Sequence, residues 1–275
     1  MPFSVIIIVK HRLQQLQNVL EAIERATIHP RDVQIVAMDD ENYSVSSDAF
    51  PIHVHRLSSD ETLPLAAARN FGAAQADTNT LIFIDVDCIV EPTLFEEMLS
   101  HISPTAVITG YPLYLPYLPD NGVYEALLPD AVSHPERRTI PTLTPVEHTK
   151  FWSLIFAIHK DQYTKIGGFD ESFVGYGGED TDFAQSFHKA GLKLLFAPTH
   201  VIHQYHIKYD PPLNYFSAIL KNAERYKEKW GRYAMYAWLQ KFAAMGLITI
   251  DDTSLTVLRQ PTKEEVDAQL STEPY

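Results

Sequence analysis

The chain has 275 residues, of which 45% are hydrophobic and 21% charged, so it can bury one substantial core and shows no bias towards disorder, collagen or repeats. Its formal net charge of -13 at pH 7 argues against a nucleic-acid partner, because proteins that bind phosphate backbones concentrate Lys and Arg. The single cysteine, Cys88, excludes an intramolecular disulfide and indicates a cytoplasmic protein, with peripheral attachment to a membrane left open.

The first half of the chain alternates short apolar runs with segments of helical spacing. Residues 3–9 are apolar except at Ser4, too short to span a bilayer and without the flanks of a signal peptide, so they predict a buried first strand. The elements predicted after it are a helix with Leu13, Leu16, Val19, Leu20 and Ile23 on one face, strands over 33–38 and 52–56, a helix over 65–76 and a strand over 80–84. Strands that alternate with helices predict a parallel sheet with right-handed crossovers.

Two acidic clusters follow predicted strands. Asp39 and Asp40 come after 33–38, and Asp85-Val86-Asp87 comes after 80–84. Ligands of such sheets bind at the carboxyl ends of the strands, and carboxylates there can hold a divalent cation that also binds a diphosphate. The clusters therefore predict a nucleotide site. A solvated turn is the alternative for Asp85 and Asp87, and a turn cap is the alternative for Asp40.

The second half is less regular. Residues 110–150 hold seven of the 18 prolines and predict a long loop of functional or mobile character. After it, the pattern predicts a strand over 151–159, a glycine-rich stretch over 167–178, a helix that carries Phe183, Ala184 and Phe187 and ends at Gly191, and a strand over 192–197. Beyond Pro211 and Pro212 a helical pattern runs to about Met245, and a hairpin and a polar helix follow.

Three motifs resemble the family 2 glycosyltransferases and the related galactosyltransferase-type C-terminal module, both of which have the GT-A fold. They are the opening strand Ser4-Val5-Ile6-Ile7-Ile8, the Asp-x-Asp motif in Phe83-Ile84-Asp85-Val86-Asp87, and the segment from Gly167 to Asp180, Gly-Gly-Phe-Asp-Glu-Ser-Phe-Val-Gly-Tyr-Gly-Gly-Glu-Asp. The third motif is similar to that of β-1,4-galactosyltransferases and chondroitin-type polymerases. The likeness extends over about residues 3–206. It departs from the family after the first strand, where the usual Pro-Thr-Tyr-Asn is Val9-Lys10-His11-Arg12.

The resemblance implies an α/β fold of the GT-A type, with a mostly parallel twisted sheet and helices on both faces. It implies a nucleotide-sugar-binding and catalytic domain over 1–210, with a donor half over 1–109 and an acceptor half over 110–210. Residues 211–275 are expected to form a small C-terminal helical extension. The role of the tail from residue 246 stays open.

For the metal and nucleotide, the resemblance implies that Asp85 faces the ribose and that Asp87 binds Mn²⁺ or Mg²⁺. His203, in Val201-Ile202-His203-Gln204, resembles the histidine that completes the metal site in chondroitin-type polymerases, and imidazole accompanies carboxylates at such ions. His203 is therefore preferred to His200 and His206. Asp40 is expected to accept the uracil N3–H, with Asp39 as the alternative. Arg69 is expected to meet the uracil or the phosphates, with a surface position as its alternative.

For catalysis, the resemblance assigns the general base to Asp180 and contact with the acceptor sugar to Glu179. A hydroxyl is a poor nucleophile, so a base within hydrogen-bond reach speeds its attack. Glu179 is the main rival for the base, and the other alternative is that both acids only complement a helix N-terminus. Gly177 and Gly178 are expected to let the backbone approach a sugar or close over the donor, and Tyr176 to stack on a sugar. We expect Trp152 to do so less, Cys88 to be packed, and Asp182 to lie on the helix surface.

These observations predict an inverting, metal-dependent glycosyltransferase, a hexosyl- or N-acetylhexosaminyltransferase, that moves a sugar from a UDP-sugar to a glycan or glycolipid hydroxyl in polysaccharide biosynthesis. The donor sugar, the acceptor, the linkage and the oligomeric state stay open. Two alternatives remain. A nucleotidyltransferase would need a glycine-rich phosphate loop after the first strand, which is absent from Val9-Lys10-His11-Arg12. A non-catalytic nucleotide-sugar or glycan-binding module would bind without turnover.

Overall fold

The computed structural model describes residues 1–57, 63–117 and 125–274. The strands are β1 (Ser4–Val9), β2 (Asp32–Ala37), β3 (Ile52–Arg56), β4 (Thr80–Asp85), β5 (Cys88–Val90), β6 (Ala106–Tyr114), β7 (Val132–Ser133), β8 (Ile155–His159), β9 (Lys193–His203), β10 (Lys208–Tyr209), β11 (Ile248–Ile250), β12 (Leu255–Val257) and β13 (Leu270–Ser271). The α-helices are α1 (Leu13–Glu24), α2 (Leu65–Gln75), α3 (Leu94–His101), α4 (Lys160–Lys165), α5 (Glu179–Lys189), α6 (Phe216–Trp230), α7 (Tyr236–Ala244) and α8 (Lys263–Asp267).

One mixed sheet of nine strands forms the centre, in the order β3-β2-β1-β4-β8-β6-β9-β5 with β7 beside β6. Strands β3, β2, β1 and β4 are parallel, and β6 is parallel to β9. Strand β8 runs antiparallel to both β4 and β6, and β5 runs antiparallel to β9. The mostly parallel sheet that the sequence predicts is therefore confirmed.

Helices cover both faces of this sheet, as predicted. Alternate side chains of β1 enter different cores: Val5 and Ile7 pack in the cluster that holds Leu16 of α1 and Phe95 of α3. Ile6 packs in the cluster on the other face, with helices α2 and α5. Because successive strand side chains point to opposite faces, a continuous apolar strand such as β1 requires a layer on each side.

Several predicted elements have other bounds in the structure. The strand expected over 151–159 begins only at Ile155, where its pairing with β4 begins at Ile84↔Ile155. The strand expected over 192–197 continues to His203, since β9 passes a bulge and goes on pairing with β6 and then β5. The loop expected over 110–150 begins within β6 and contains β7, and its residues 118–124 lie outside the described part. The sequence patterns do not predict helices α3 and α4 or the short strands β5, β10 and β13.

The helical pattern beyond Pro212 is split in two. Gly231 ends α6 with φ 76°, and α7 starts after Met235, which has φ 54°. Both helices bury their apolar faces in a separate cluster that includes Ile219, Leu239 and Phe242. The hairpin β11–β12 and the polar helix α8 follow as predicted. Within the described residues, no helix has the length and apolar character needed to cross a membrane.

Candidate active site

Four side chains meet where β4 ends and β5 begins. Asp87 is buried, and its Oδ1 lies 3.6 Å from His203 Nε2 while its Oδ2 lies 3.4 Å from His206 Nε2. Arg12 donates from Nη1 to the same Oδ2. The antiparallel pairing of β5 and β9 places Cys88 opposite His203, and Gln204 N donates to Asp87 O at 2.7 Å. The turn after β4 and the end of β9 are thus joined by backbone hydrogen bonds.

This cluster has the donor atoms that a divalent metal needs. One ligand atom each from Asp87, His203 and His206 lie within 4.8 Å of one another, and His203 Nδ1 is buried without a hydrogen-bond partner among the described residues. Burial lowers the pKa of His203, so the imidazole is neutral near pH 7, the form that binds a metal. Although burial opposes it, His203, His206 and Arg12 hold the pKa of Asp87 well below its ordinary value. A carboxylate with two imidazoles fits an Mn²⁺-like ion.

The second group of residues is an ionic network that begins at Asp85, two residues before Asp87. Arg69 is buried on α2 and donates from Nη2 to Asp85 Oδ1 at 3.1 Å and from Nη1 to Glu179 Oε1 at 3.3 Å. The surface position considered for Arg69 is therefore wrong. Burial raises the pKa of Asp85, and Arg69 opposes this rise. The guanidinium joins the Asp-x-Asp motif to the start of α5, because it offers donors in a planar fork.

The acids that begin α5 differ in their surroundings. Glu179 is buried, and its Oε2 has no hydrogen-bond partner among the described residues. Burial and the adjacent Asp180 raise the pKa of Glu179 to about 7, against the effect of Arg69. Asp180 is half-buried, and its Oδ1 accepts from the backbone N–H of Thr181 at 2.6 Å. Burial also raises the pKa of Asp180. Raised pKa values in adjacent acids are typical of groups that exchange protons near neutral pH.

The two acids after β2 are also unlike each other. Asp39 is buried, and it accepts hydrogen bonds from the backbone N–H of His11 at 2.7 Å, from Tyr43 Oη at 2.9 Å and from the backbone N–H of Glu41 at 3.0 Å. Asp40 is exposed. The structure thus places Asp39 within the fold beside the loop after β1, and Asp40 at the surface.

The glycines of the third motif lie against the C-terminal helices. A Cβ on Gly177 would lie 2.6 Å from Met235 Sδ, and a Cβ on Gly178 would lie 3.3 Å from Met235 Cε. Both glycines have positive φ, 92° and 90°. Tyr176 stacks on Tyr215, with 4.6 Å between ring centroids, and on Trp238 at 5.9 Å. The described contacts of these glycines are therefore with protein side chains.

Three further expectations can be compared with the structure. Asp182 is 1% exposed and accepts from Lys229 Nζ at 2.9 Å and from Trp230 Nε1 at 2.7 Å, so its expected surface position is wrong. Helix α6 covers it. Cys88 is packed, as expected. Trp152 lies under the guanidinium of Arg137, 3.3 Å from Cζ to the ring centroid.

Two residues at the site were not singled out from the sequence. The sequence favours His203 over His206, although the spacing of three residues places a second imidazole at the same carboxylate. Arg12 was noted only as a departure from the family pattern after β1. The signal for His206 was available in His203-Gln204-Tyr205-His206, whereas no local pattern connects Arg12 with Asp87, 75 positions later.

With this geometry established, comparison with known proteins defines the class. The model of glycosyl transferase family 2 matches residues 4–162, more than half of the chain. A second model, described as the N-terminal domain of galactosyltransferase, matches residues 139–210. The chain therefore belongs to glycosyl transferase family 2, as the motifs predicted.

The individual proteins that match this chain share limited sequence identity with it. The chain is 26% identical over 221 residues to validoxylamine A glucosyltransferase of Streptomyces hygroscopicus subsp. limoneus, which covers 70% of this chain and 49% of that protein. It is 36% identical over 62 residues to human β-1,4-galactosyltransferase 3, covering 22% of this chain and 16% of that protein. The chain spans about half the length of the validoxylamine A glucosyltransferases that it matches.

Solved structures share the fold. GalNAc-T7 with UDP, GalNAc and Mn²⁺ superposes with a TM-score of 0.58 and 18% identity over 89% of this chain and 54% of that one. Residues 1–349 of S. aureus TarS give a TM-score of 0.58 and 14% identity over 82% of this chain and 66% of that one. The GT-A fold that the motifs implied is confirmed.

Proposed function

We propose that this chain transfers a sugar from a nucleoside-diphosphate sugar, preferably UDP-linked, to an acceptor hydroxyl with inversion at the anomeric carbon. The observation that carries the proposal is the convergence of Asp87, His203 and His206 beside the network of Arg69, Asp85 and Glu179. An ion site and an acid pair at one end of the sheet, of which Glu179 is buried and Asp180 half-buried, provide for both the leaving diphosphate and the attacking hydroxyl.

In this proposal the metal site is made by Asp87, His203 and His206. A divalent ion bound there, Mn²⁺ or Mg²⁺, would neutralise charge on the departing diphosphate. Asp85 would orient the ribose while Arg69 holds its carboxylate in place. Support comes from relatives of the same fold that were solved with UDP and Mn²⁺, with UDP-GlcNAc, and with GDP-Man and Mn²⁺.

The base is assigned to Asp180 and the positioning of the acceptor to Glu179. Asp180 is half-buried and binds Thr181 through Oδ1, so Oδ2 remains to accept the proton of the acceptor hydroxyl. Glu179 is buried and tied to Arg69, which suits a group that holds a sugar more than one that receives its proton. Asp39 is assigned to the base of the nucleotide in preference to Asp40, because Asp39 lies within the fold.

We propose that the chain consists of a donor half over 1–109, an acceptor half over 110–210 and a C-terminal extension over 211–275. Tyr176 is proposed to border the acceptor. Gly177 and Gly178 pack on Met235, and they are proposed to hold the backbone of this loop close to the donor. A nucleotidyltransferase or a non-catalytic binding module remains an outcome of the experiments.

The experiment is isothermal titration calorimetry of UDP and GDP with and without Mn²⁺, followed by a panel of UDP- and GDP-sugars tested for metal-dependent hydrolysis. We expect UDP to bind more tightly with Mn²⁺, and His206→Ala to abolish most of that gain. His200→Ala is the matched control, since His200 faces Glu91 instead of Asp87. Equal UDP affinity of the unmutated chain with and without Mn²⁺ would contradict the metal site. Binding without hydrolysis or transfer would favour the binding module.

A further inference from the structure

The loop after β1, where the sequence departs from the family pattern, reaches both acidic sites. The backbone of His11 has φ 53° and donates its N–H to Asp39 Oδ2 and Tyr43 Oη. The next side chain, Arg12, points the other way and donates to Asp87 Oδ2. Arg12 occupies the N-cap position of α1 without making a side-chain capping hydrogen bond. Its side chain therefore has no role in capping the start of α1.

Arg12 lies against the carboxylate that a metal ion would bind. Asp87 Oδ2 faces His206 Nε2 at 3.4 Å and also accepts the guanidinium, so a metal held by Asp87 and His206 would adjoin a positive charge. Two cations in contact with one buried carboxylate repel each other strongly, because little water screens them. Metal binding is therefore expected to weaken the ion pair and favour its opening.

The side chain of Arg12 is held by Asp87, whereas its backbone is part of the first turn of α1. Its side chain is 35% exposed, and in the described ranges Asp87 is the one acceptor that it contacts. Its carbonyl accepts the first backbone hydrogen bond of α1, from Leu16 N at 3.0 Å. The guanidinium can thus leave Asp87 by rotation of side-chain bonds, without any change in the loop.

We propose that Arg12 is the counter-cation of Asp87 in the metal-free protein and that metal binding releases it to the diphosphate. This inference rests on the proposed function and adds a coupling to it. The released guanidinium gains phosphate oxygens as partners, which it binds well in bidentate geometry. Metal and nucleotide therefore bind cooperatively, and by linkage each strengthens the binding of the other by the same factor.

The test measures Mn²⁺ binding by electron paramagnetic resonance of the free ion, with and without UDP, for the unmutated protein, Arg12→Gln and Lys10→Gln. Without UDP, Arg12→Gln should bind Mn²⁺ about tenfold more tightly, because no charge-assisted hydrogen bond has to be broken. UDP should strengthen Mn²⁺ binding at least about tenfold in the unmutated protein and much less in Arg12→Gln. Lys10→Gln, which removes one positive charge from the same loop, should behave as the unmutated protein does.

Each outcome has one meaning. Tighter Mn²⁺ binding by Arg12→Gln without UDP supports the proposal, and equal or weaker binding overturns it, since a residue that only supports the loop would weaken the site when replaced. If Lys10→Gln gives the same increase, the effect is one of net charge and the proposal is overturned. If the unmutated protein binds Mn²⁺ neither alone nor with UDP, the metal site of the proposed function fails too.

Discussion

The replacement Asp180→Asn separates a catalytic base from an acid that only complements a helix. The Oδ1 of Asp180 accepts from the backbone N–H of Thr181 at 2.6 Å and from its Oγ1 at 3.2 Å. An amide oxygen at the same place can accept both hydrogen bonds, so the first turn of α5 keeps its partner. The amide also removes a carboxylate beside Glu179, in a setting where burial raises the pKa of Asp180. We expect the melting temperature to stay the same or to rise slightly.

Turnover should respond quite differently. The Asn side chain cannot take a proton from an attacking hydroxyl, and loss of a general base usually costs about 10²–10⁴-fold in rate. At about 1.4 kcal/mol for each factor of ten, the barrier rises by about 3–5 kcal/mol. The assay is hydrolysis or transfer with a nucleotide sugar that the unmutated chain turns over, together with UDP affinity, which should change little.

The matched control is Asp170→Asn, in the same motif. The carboxylate of Asp170 accepts from Lys229 Nζ at 2.8 Å, so its loss should lower the melting temperature and leave turnover near normal well below that temperature. Near-normal turnover in Asp180→Asn would refute the assignment of the base. If Glu179→Gln is inactive at the same time, the roles of the two acids must be exchanged.

Three further predictions concern stability. Burial and the adjacent carboxyl raise the pKa of Glu179 from 4.5 to about 7. Between these pH values the folded chain keeps a proton that the unfolded chain releases, so the free energy of unfolding falls as the pH rises. Glu179→Gln should therefore gain in melting temperature over the parent from pH 5 to pH 8, and a difference independent of pH would contradict this. Asp182→Ala should lower the free energy of unfolding in urea by about 1–3 kcal/mol, because the partly exposed donors of Lys229 and Trp230 lose their buried acceptor; a loss below about 0.5 kcal/mol would be that of a surface site. Gly177→Ala should cost more stability and turnover than Gly191→Ala, which has similar φ but nothing within 4 Å of the added Cβ; equal losses would mean that φ alone matters.

The donor side of the sheet could be predicted because its sequence signal is local. Strand β4 is an apolar run that ends in Asp85, and the following Asp87 lies at the carboxyl end of a strand parallel to β1. The position of these acids therefore follows from the fold class alone. Their partners do not, because Arg69 reaches Glu179 across 110 positions of sequence.

The choice between Asp39 and Asp40 shows why side-chain burial could not be predicted there. Strand β2 ends at Ala37, so the alternation of a strand does not extend to either acid. What buries Asp39 is a set of donors from other segments, the N–H of His11 and the hydroxyl of Tyr43. No pattern around residue 39 indicates them.

The C-terminal helices could likewise be predicted only in part from the sequence. The helical spacing beyond Pro212 continues through the place where the chain turns, and only the positive φ of Gly231 and Met235 marks the break. Because α6 returns over α5, Asp182 is buried although a first-turn Asp is ordinarily solvated. Its environment depends on a helix more than 30 positions away in sequence.

The third motif contacts the C-terminal helices and also leads directly into α5, which carries the acid pair. Gly175 and Gly177 leave room for Ala218 of α6 and for Met235 before α7, with added Cβ positions only 2.7 and 2.6 Å from those side chains. Asn222 of α6 donates to the carbonyl of Gly177 at 2.8 Å, two residues before the acid pair begins. These contacts support the backbone just before Glu179, which pairs with Arg69 at 3.3 Å. The glycine spacing that resembles an acceptor loop thus also supports the acids through the C-terminal helices, and changes in those helices should act on the reaction through the position of this loop.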